Sequence, residues 1–319
     1  MRSSPMATPS SRIRSMAPSG APSPSPTRTD TESPSTTAPD PLRVSRPALR
    51  WRIAHRRTDI AMPSASDLLD IALSAASAGA AVLAEAARDR DASSDGLGLR
   101  TKGASGDVVT EIDLRAERAI RAVLAEHRPD DEVSGEEYAT TGGGSALRWS
   151  IDPLDGTSNF VRGLPHYGSS VAVHDVDSGV WLAGVVHAPE LDHVYSAGSG
   201  LGAYRESGGI RIRLRGPATD ATPVLLAVGF SYDPEQRARQ LAELPTRMSA
   251  FTDLRSIGSA ALGLCLVAEG SVDAFIETDL YEFDWAAGAL IAEEAGLIVK
   301  RPATMRGGIV AHPPHLPVA

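Results

Sequence analysis

Two aspartates stand three residues apart in the segment Asp152-Pro-Leu-Asp-Gly-Thr157. The apolar residues before this segment predict a strand over 147–151 that delivers Asp152 at its end, and Pro153 argues against continued sheet pairing. The carboxylates of Asp152 and Asp155 can then converge on one point, with the carbonyl of Leu154 between them. Because Mg²⁺ prefers hard oxygen ligands whereas Zn²⁺ prefers nitrogen and sulfur, this pattern indicates a magnesium site.

The backbone amides of Gly156 and Thr157 follow directly, at the predicted start of a helix. Free N–H groups at a helix start bind anions such as phosphate. A cation site beside an anion site indicates phosphate chemistry. Asp, Pro, Gly and Thr are also the usual residues of turns, so this segment alone leaves open an ordinary turn without chemistry.

The net charge differs between two regions of the chain. The 319 residues carry a net charge of −9. The composition, with 42% hydrophobic and 22% charged residues, excludes a wholly disordered or membrane-spanning chain. Residues 1–61 contain 10 arginines and 4 acidic residues, a net charge of +6, so residues 62–319 carry −15. A protein that binds the phosphate backbone of a nucleic acid needs a basic surface, and residues 62–319 are acidic. We therefore expect neither a nucleic-acid nor a membrane partner.

The first 61 residues are rich in Pro, Ser and Arg and poor in apolar residues. Such a segment cannot bury enough apolar surface to offset the entropy of ordering, so we predict a disordered tail. Its composition also fits an organellar transit peptide, and a third interpretation is that translation starts at Met62. The single cysteine, Cys265, excludes an internal disulfide and suits a reducing compartment. We expect a cytoplasmic protein with Cys265 in its core.

Helices and strands follow one another after the tail. Ser64-Ala-Ser-Asp67 fits a capping box at the start of a helix that ends near Arg90, and a second helix carries Asp113 in its first turn. Residues 147–214 have the pattern of successive short antiparallel strands, and the last third alternates strands with helices. This pattern predicts an α/β (α+β) protein with sheets layered by helices, divided into halves over residues 62–220 and 221–319.

Four separated motifs resemble those of the inositol monophosphatase family, which comprises magnesium-dependent, lithium-sensitive sugar phosphatases. The resemblance runs from about Ser66 to about Ala311 and implies a layered α-β-α-β-α sandwich of the inositol monophosphatase and fructose bisphosphatase type. The motifs are Lys102-Gly-Ala-Ser-Gly-Asp-Val-Val-Thr-Glu-Ile-Asp113, Gly135-Glu-Glu137, Asp152-Pro-Leu-Asp-Gly-Thr-Ser-Asn-Phe160 and Glu282-Phe-Asp-Trp-Ala-Ala-Gly-Ala-Leu-Ile-Ala-Glu-Glu-Ala-Gly296.

The resemblance implies a site for two to three Mg²⁺ ions. Glu136, Asp152 and the carbonyl of Leu154 would hold the first ion, and Asp152, Asp155 and Asp284 would hold the second. Glu136 would also steer a third, weaker ion through water molecules. Elementary electrostatics supports the need for cations, because two like charges about 4 Å apart repel by about 4 kcal/mol at an effective dielectric constant near 20.

The resemblance also implies roles for residues around the metals. Thr157 would orient the attacking water, with its hydroxyl polarised by Asp113, and Thr110 would support this pair. Lys102 would lie on a loop that closes over the site. Substrate hydroxyls would be bound by Glu277 and by the turn Gly258-Ser259-Ala260.

We therefore expect a phosphoric monoester hydrolase that acts on a small phosphorylated polyol, with inositol 1-phosphate as the leading substrate, through attack by metal-activated water. By resemblance the enzyme would be a homodimer. Fructose 1,6-bisphosphate, histidinol phosphate and other sugar or nucleotide phosphates are alternative substrates within the family. A non-catalytic, protein-binding role is an alternative of another class. The presence of every implied metal ligand favours the enzyme.

Overall fold

The computed structural model describes most of the chain after the predicted tail. The described residues are 62–92, 100–102, 107–109, 111–316 and 318, with the backbone alone described at 91, 92, 100–102 and 107–109. The predictions for residues 1–61, for Thr110 and for the side chain of Lys102 therefore lie outside the described residues.

Helix α1 (Ala65–Ala92) begins with the predicted capping box, which is confirmed. Ser64 Oγ accepts a 3.2 Å hydrogen bond from the Asp67 amide, and Asp67 Oδ2 accepts a 3.2 Å bond from the Ser64 amide. By length and composition α1 is apolar enough to cross a membrane, but its apolar face is buried inside the protein. The helix therefore serves the core of the fold.

Helix α2 (Glu111–His127) packs beside α1 and buries one face. The apolar residues of this face are Ile112, Ala116, Ile120 and Leu124. The same face also buries two carboxylates, Asp113 and Glu117, which are four residues apart. Residues at this spacing lie one turn apart on the same side of a helix. Charged side chains that are buried in this way need specific partners.

A seven-stranded sheet lies against α1 and α2. Its strand order is β3-β4-β5-β6-β7-β8-β9, with β3 and β4 parallel and all other neighbours antiparallel. The strands are β3 (Glu132–Gly135), β4 (Leu147–Asp155), β5 (Gly168–Asp175), β6 (Trp181–Ala188), β7 (His193–Gly198), β8 (Gly202–Ser207) and β9 (Ile210–Arg213). A short antiparallel pair, β1 (Arg100–Lys102) and β2 (Asp107–Val109), precedes α2.

Strand β4 differs from the prediction, which ended it at Ile151. It continues through Pro153 to Asp155, with a shift of register against β5 between Asp152 and Asp155. Because of this irregularity, Pro153 is not part of the hydrogen-bond ladder. The absence of a backbone N–H on proline therefore removes no hydrogen bond between β4 and β5. The expectation that Pro153 would stop the strand was wrong, and the strand itself carries both aspartates.

The second sheet has five strands in the order β11-β10-β12-β14-β13. Strand β10 pairs in parallel with β11 and β12, whereas β14 runs antiparallel to β12 and β13. The strands are β10 (Leu225–Val228), β11 (Asp253–Arg255), β12 (Ala274–Tyr281), β13 (Ile298–Lys300) and β14 (Arg306–His312).

Four further helices complete the layers: α3 (Thr157–Val161), α4 (Pro234–Arg247), α5 (Ala260–Glu269) and α6 (Glu282–Glu294). The largest buried apolar cluster places α5 and α6 between the two sheets, and Leu244 of α4 packs on the outer face of the second sheet. With α1 and α2 outside the first sheet, the order is α-β-α-β-α, which confirms the predicted α+β layers. Cys265 is buried in the central cluster, as predicted.

Candidate active site

The turn after β4 is held rigidly in place. Gly156 has φ 93°, in the left-handed region, and a Cβ atom there would lie 2.8 Å from the carbonyl oxygen of His166. Glycine is therefore required at this position. Directly after the turn, Phe160 packs edge-on against Tyr167, with 5.1 Å between ring centroids. The Asn159 amide donates to the carbonyls of His166 and Ile257, at 2.7 and 2.8 Å.

A cavity of about 720 Å³ opens beside this turn. Its walls come from the end of β4, from the starts of α3, α5 and α6, and from β12. The structure brings most of the predicted site residues together in this cavity. They are Glu136, Asp152, Leu154, Asp155, Gly156, Thr157, Gly258, Ser259, Ala260, Glu277 and Asp284.

Asp152 lies at the centre of the acidic residues. Its side chain is buried, and Oδ1 accepts a 3.0 Å hydrogen bond from the Leu154 amide. Burial raises the pKa of Asp152 well above its usual range, and the neighbouring charges of Glu136, Asp155 and Asp284 raise it further. The protein therefore places a carboxylate where its charge is disfavoured unless a cation is present.

Asp155 connects β4 to the start of α5. Its Oδ2 accepts bonds from the Ser259 hydroxyl at 2.5 Å and from the Ala261 amide at 2.7 Å, and Oδ1 accepts a 3.3 Å bond from the Ala260 amide. Burial raises the pKa of Asp155 to about 6, although these hydrogen bonds favour the charged form. Ser259 also caps α5, because its Oγ accepts a bond from the Leu262 amide.

Asp284 lies in the first turn of α6, as predicted. Its Oδ2 accepts a 2.6 Å hydrogen bond from the Tyr281 amide, so it serves as a helix-start residue as well as a member of the acidic cluster. Burial and the charges of Asp155 and Glu136 raise the pKa of Asp284 well above its usual range. An ion pair between Arg148 of β4 and Glu282 connects the start of α6 to the first sheet.

These residues fit a magnesium site by their chemistry. Glu136 and the three aspartates are hard oxygen donors. Burial raises the pKa of each aspartate, and the charges of neighbouring acids raise the pKa of Asp152 and Asp284 further. Among the described residues no ion pair neutralises Asp152, Asp155 or Asp284. Within the described part of the chain, no three acidic, His or Cys side chains are already gathered around one point. Backbone and hydroxyl donors hold each aspartate, so a bound cation would have to draw the carboxylates closer together.

Thr157, the first residue of α3, lies between two acceptors. Its hydroxyl is 3.2 Å from Asp113 Oδ1 and 3.1 Å from the carbonyl oxygen of Leu154. Asp113 reaches this position from the buried face of α2. A hydroxyl with its own proton directed to an acceptor presents its lone pairs to another donor, such as a water molecule.

Glu117 was not identified from the sequence, although it is fully buried. Its carboxylate accepts hydrogen bonds from the Glu137 amide at 2.7 Å, from the Tyr138 amide at 3.2 Å and from Arg121 Nε at 2.7 Å. A Cβ atom on Gly135 would lie 2.3 Å from Glu117 Oε1. Glu117 therefore fixes the backbone on both sides of Glu136. Its position four residues after Asp113 was the available signal.

Gly229 is a second site residue that the sequence did not reveal. A Cβ atom at this position would lie 2.0 Å from the carboxylate of Glu277, so glycine leaves room for that carboxylate in its observed position. Burial, followed by repulsion from Asp155, raises the pKa of Glu277 to about 8. Glu277 thus lies in the cavity beside the acidic cluster, closely packed against the end of β10.

The outer wall of the cavity contains a third group that the sequence did not reveal. Asp279 has φ 75°, in the left-handed region, next to a register shift in β12. Its carboxylate accepts hydrogen bonds from Ser231 Oγ and from Arg306 Nε, both at 2.8 Å. The Arg306 guanidinium lies over the Tyr281 ring, 4.7 Å from the centroid.

Comparison with known proteins places this arrangement in a family. The family model described as "Inositol monophosphatase family" matches residues 64–314. The chain is 43% identical over 217 residues to "Inositol-1-monophosphatase" of Mycobacterium leprae (strain TN), covering 65% of this chain and 72% of that protein. It is 37% identical over 235 residues to "Nus factor SuhB" of Pasteurella multocida (strain Pm70), covering 73% and 84%.

The fold is similar to a solved structure of the same kind. The crystal structure of "extragenic suppressor protein suhB" from Bartonella henselae superposes with a TM-score of 0.70 at 30% identity, covering 78% of this chain and 95% of that chain. A family model that spans most of the chain, together with a matching fold, establishes the assignment. The chain belongs to the inositol monophosphatase family and is a phosphatase.

Proposed function

We propose that the protein is a Mg²⁺-dependent phosphomonoesterase of small phosphorylated polyols, with inositol 1-phosphate as the leading substrate. The observation that carries this proposal is the cluster of Asp152, Asp155 and Asp284 in a cavity that also contains Thr157. Burial disfavours the charged form of all three acids, so cations would stabilise the cluster, and the neighbouring hydroxyl is positioned to orient water.

Resemblance to the family assigns two metal positions to this donor set. Glu136, Asp152 and the Leu154 carbonyl would hold one ion, and Asp152, Asp155 and Asp284 would hold another. When bound, the magnesium ions would supply positive charge that lowers the pKa of a water molecule and stabilises the phosphate and the leaving oxygen.

The protein's own groups orient the reacting water. Because the Thr157 proton is directed to Asp113 or to the Leu154 carbonyl, the lone pairs of Thr157 Oγ1 can accept a hydrogen bond donated by that water. Removing either partner would let the hydroxyl rotate. Helix α3 has only 5 residues, so any phosphate contact at Gly156 and Thr157 would come from single N–H groups and not from a long helix dipole.

The leaving group would lie toward the second sheet. Glu277 is half-buried there, and its raised pKa allows it to act as donor or acceptor toward substrate hydroxyls near neutral pH. The 720 Å³ cavity is large enough for a phosphorylated sugar or polyol. A polyol substrate therefore matches both the size of the cavity and its polar walls.

The test is phosphate release from a panel of phosphomonoesters, with Mg²⁺ and after chelation by EDTA. We expect turnover of inositol 1-phosphate that requires Mg²⁺ and that Li⁺ inhibits. Faster turnover of fructose 1,6-bisphosphate, histidinol phosphate or a nucleotide phosphate would transfer the proposal to that substrate. No turnover of any ester with Mg²⁺ would contradict the proposal and favour a protein-binding role. Unchanged turnover after chelation would contradict the dependence on Mg²⁺.

A further inference from the structure

The outer wall of the cavity contains an ion pair between Asp279 and Arg306, which we call the rim pair. Among the described residues that line the cavity, Arg306 is the one cation. A cationic side chain in a phosphatase cavity would ordinarily be expected to bind an anionic group of the substrate. The rim pair shows that this guanidinium is already engaged.

The position of Asp279 is fixed by its backbone and by its hydrogen bonds. Its φ of 75° is tolerated by Asp and Asn better than by most residues. Ser231 Oγ and Arg306 Nε hold its two carboxylate oxygens, each at 2.8 Å. The Ser231 amide in turn donates a 2.8 Å bond to Gln240, whose amide donates a 2.7 Å bond to Thr278. Asp279 is thus held by a connected set of polar residues.

Each part of the Arg306 guanidinium has a partner. Besides the Nε bond, Nη2 lies 2.7 Å from Asp279 Oδ1, and Nη1 donates a 3.0 Å hydrogen bond to the Tyr281 hydroxyl. The plane of the group covers the Tyr281 ring. A second phosphate on the substrate would have to displace Asp279 before it could use this guanidinium.

The remaining charges of the cavity also disfavour a second phosphate. With Glu136, Asp152, Asp155 and Asp284 assigned to cations, the other described charged residues of the lining are Asp233, Glu277, Asp279 and Arg306. This set is net negative even when Glu277 is protonated. A dianionic group would meet like charge there, whereas hydroxyl groups would not.

We propose that Asp279 is a specificity-determining residue, which occupies Arg306 and thereby selects esters whose non-reacting part carries hydroxyls instead of a second phosphate. This inference rests on the proposed function and narrows its substrate class. It separates phosphorylated polyols from bisphosphates within the same reaction.

A matched pair of substrates tests the selection. Fructose 1-phosphate and fructose 1,6-bisphosphate share the reacting group and differ in the second phosphate. For the wild-type enzyme we expect kcat/KM to favour the monophosphate by about tenfold or more. Equal or better turnover of the bisphosphate overturns the inference. Absence of turnover on every monoester would instead contradict the proposed function, so the two failures are distinguishable.

Variants then separate the effect of freeing Arg306 from the effect of lost charge. Asp279→Asn keeps the backbone preference and removes the ion pair, and we expect the bisphosphate-to-monophosphate ratio of kcat/KM to rise about tenfold. Asp233→Asn removes one negative charge from the same cavity and preserves a helix cap, because Asn and Asp cap equally well. It should leave the ratio within about twofold of wild type. An equal gain in both variants contradicts the role of Arg306.

Removal of both Asp279 and Arg306 supplies a second readout, because it eliminates the guanidinium and keeps the net charge of the cavity. Since Arg306 is occupied in the wild type, removal of both members of the pair should leave the bisphosphate-to-monophosphate ratio at its wild-type value. The double variant Asp279→Asn/Arg306→Met should lose the gain of Asp279→Asn. A ratio that falls below the wild-type value in this double variant would show that Arg306 already binds the second phosphate, and the inference would be wrong.

Discussion

Glu117 Oε2 accepts a 2.7 Å hydrogen bond from the backbone amide of Glu137, twenty residues later in the chain. The bond connects the interior of α2 to the segment that carries Glu136. Asp113, which contacts the Thr157 hydroxyl, lies on the same face of α2, one turn before Glu117. One helix therefore positions both the water-orienting pair and a proposed metal ligand.

Glu117→Gln tests this arrangement. The amide replaces one acceptor oxygen by a donor facing other donors, which leaves a fully buried group unpaired at a cost of about 1–3 kcal/mol. We expect the Mg²⁺ concentration for half-maximal phosphatase activity to rise about tenfold, because Glu136 loses its fixed position. Glu126→Gln, at an exposed position of α2, is the control. An unchanged Mg²⁺ titration in a folded variant would contradict a positioning role.

Asp152→Asn should abolish activity while preserving the fold. The substitution removes the carboxylate that is proposed to contact both metal ions, and it also relieves repulsion from Glu136, Asp155 and Asp284. In thermal unfolding we expect the EDTA-treated variant to be at least as stable as wild type, and Mg²⁺ to raise the Tm of wild type only. The exposed Asp253→Asn is the control. Retained phosphatase activity would refute the assignment of Asp152.

The free energy of unfolding of the metal-free protein should fall as pH rises. Folding raises the pKa of Asp155 from 3.8 to about 6 and that of Glu277 from 4.5 to about 8. The folded state then binds more protons than the unfolded state, so this contribution is complete below about pH 4 and is lost through pH 6 and pH 8. Urea unfolding in EDTA from pH 5 to 9 measures it.

Glu277→Gln provides the control for this pH dependence. In this variant the free energy of unfolding should decline less steeply as the pH approaches 8, the value to which folding raises the pKa of Glu277. Added Mg²⁺ should stabilise wild type most at high pH, where the carboxylates are charged. Metal-free stability that increases from pH 5 to 9 would show that the acidic cluster does not oppose folding.

Gly229→Ala should impair recognition of substrate hydroxyls. The added Cβ would lie 2.0 Å from the Glu277 carboxylate and would displace it. We expect kcat/KM for inositol 1-phosphate to fall about tenfold more than kcat/KM for p-nitrophenyl phosphate, which has no hydroxyls to recognise. Gly144→Ala is a matched control, since its Cβ would make only an ordinary 3.4 Å contact. Equal losses on both substrates would indicate a general disturbance instead.

The fold class and the central turn could be predicted because they depend on residues that are close together in the sequence. The capping box of α1 and the position of Asp284 in the first turn of α6 depend on residues three or four apart, which the sequence displays directly. The convergence of Asp152 and Asp155 likewise depends on one short segment. Resemblance to the family added Glu136, Asp113 and Glu277, which no local pattern identifies.

The missed residues depend on contacts between distant segments. Glu117 bonds to backbone amides twenty residues away, Gly229 is required by Glu277, and Asp279 pairs with Arg306. Neither spacing nor composition displays such pairings. The continuation of β4 through Pro153 was missed for the same reason, because a bulge is a property of two paired strands. The proposals for residues 1–61, Thr110 and Lys102 stay predictions.

The hydrogen bonds from Ser259, Ala260 and Ala261 to Asp155 bear on how the enzyme becomes active during folding. Asp155 belongs to the first sheet, whereas its three donors belong to the N-cap and first turn of α5, which is packed between the two sheets. The acidic cluster is therefore completed only when the later part of the chain has docked. In a refolding experiment, recovery of catalysis would report this docking step, and a fragment that stops before Ser259 would have lost all three of these donors.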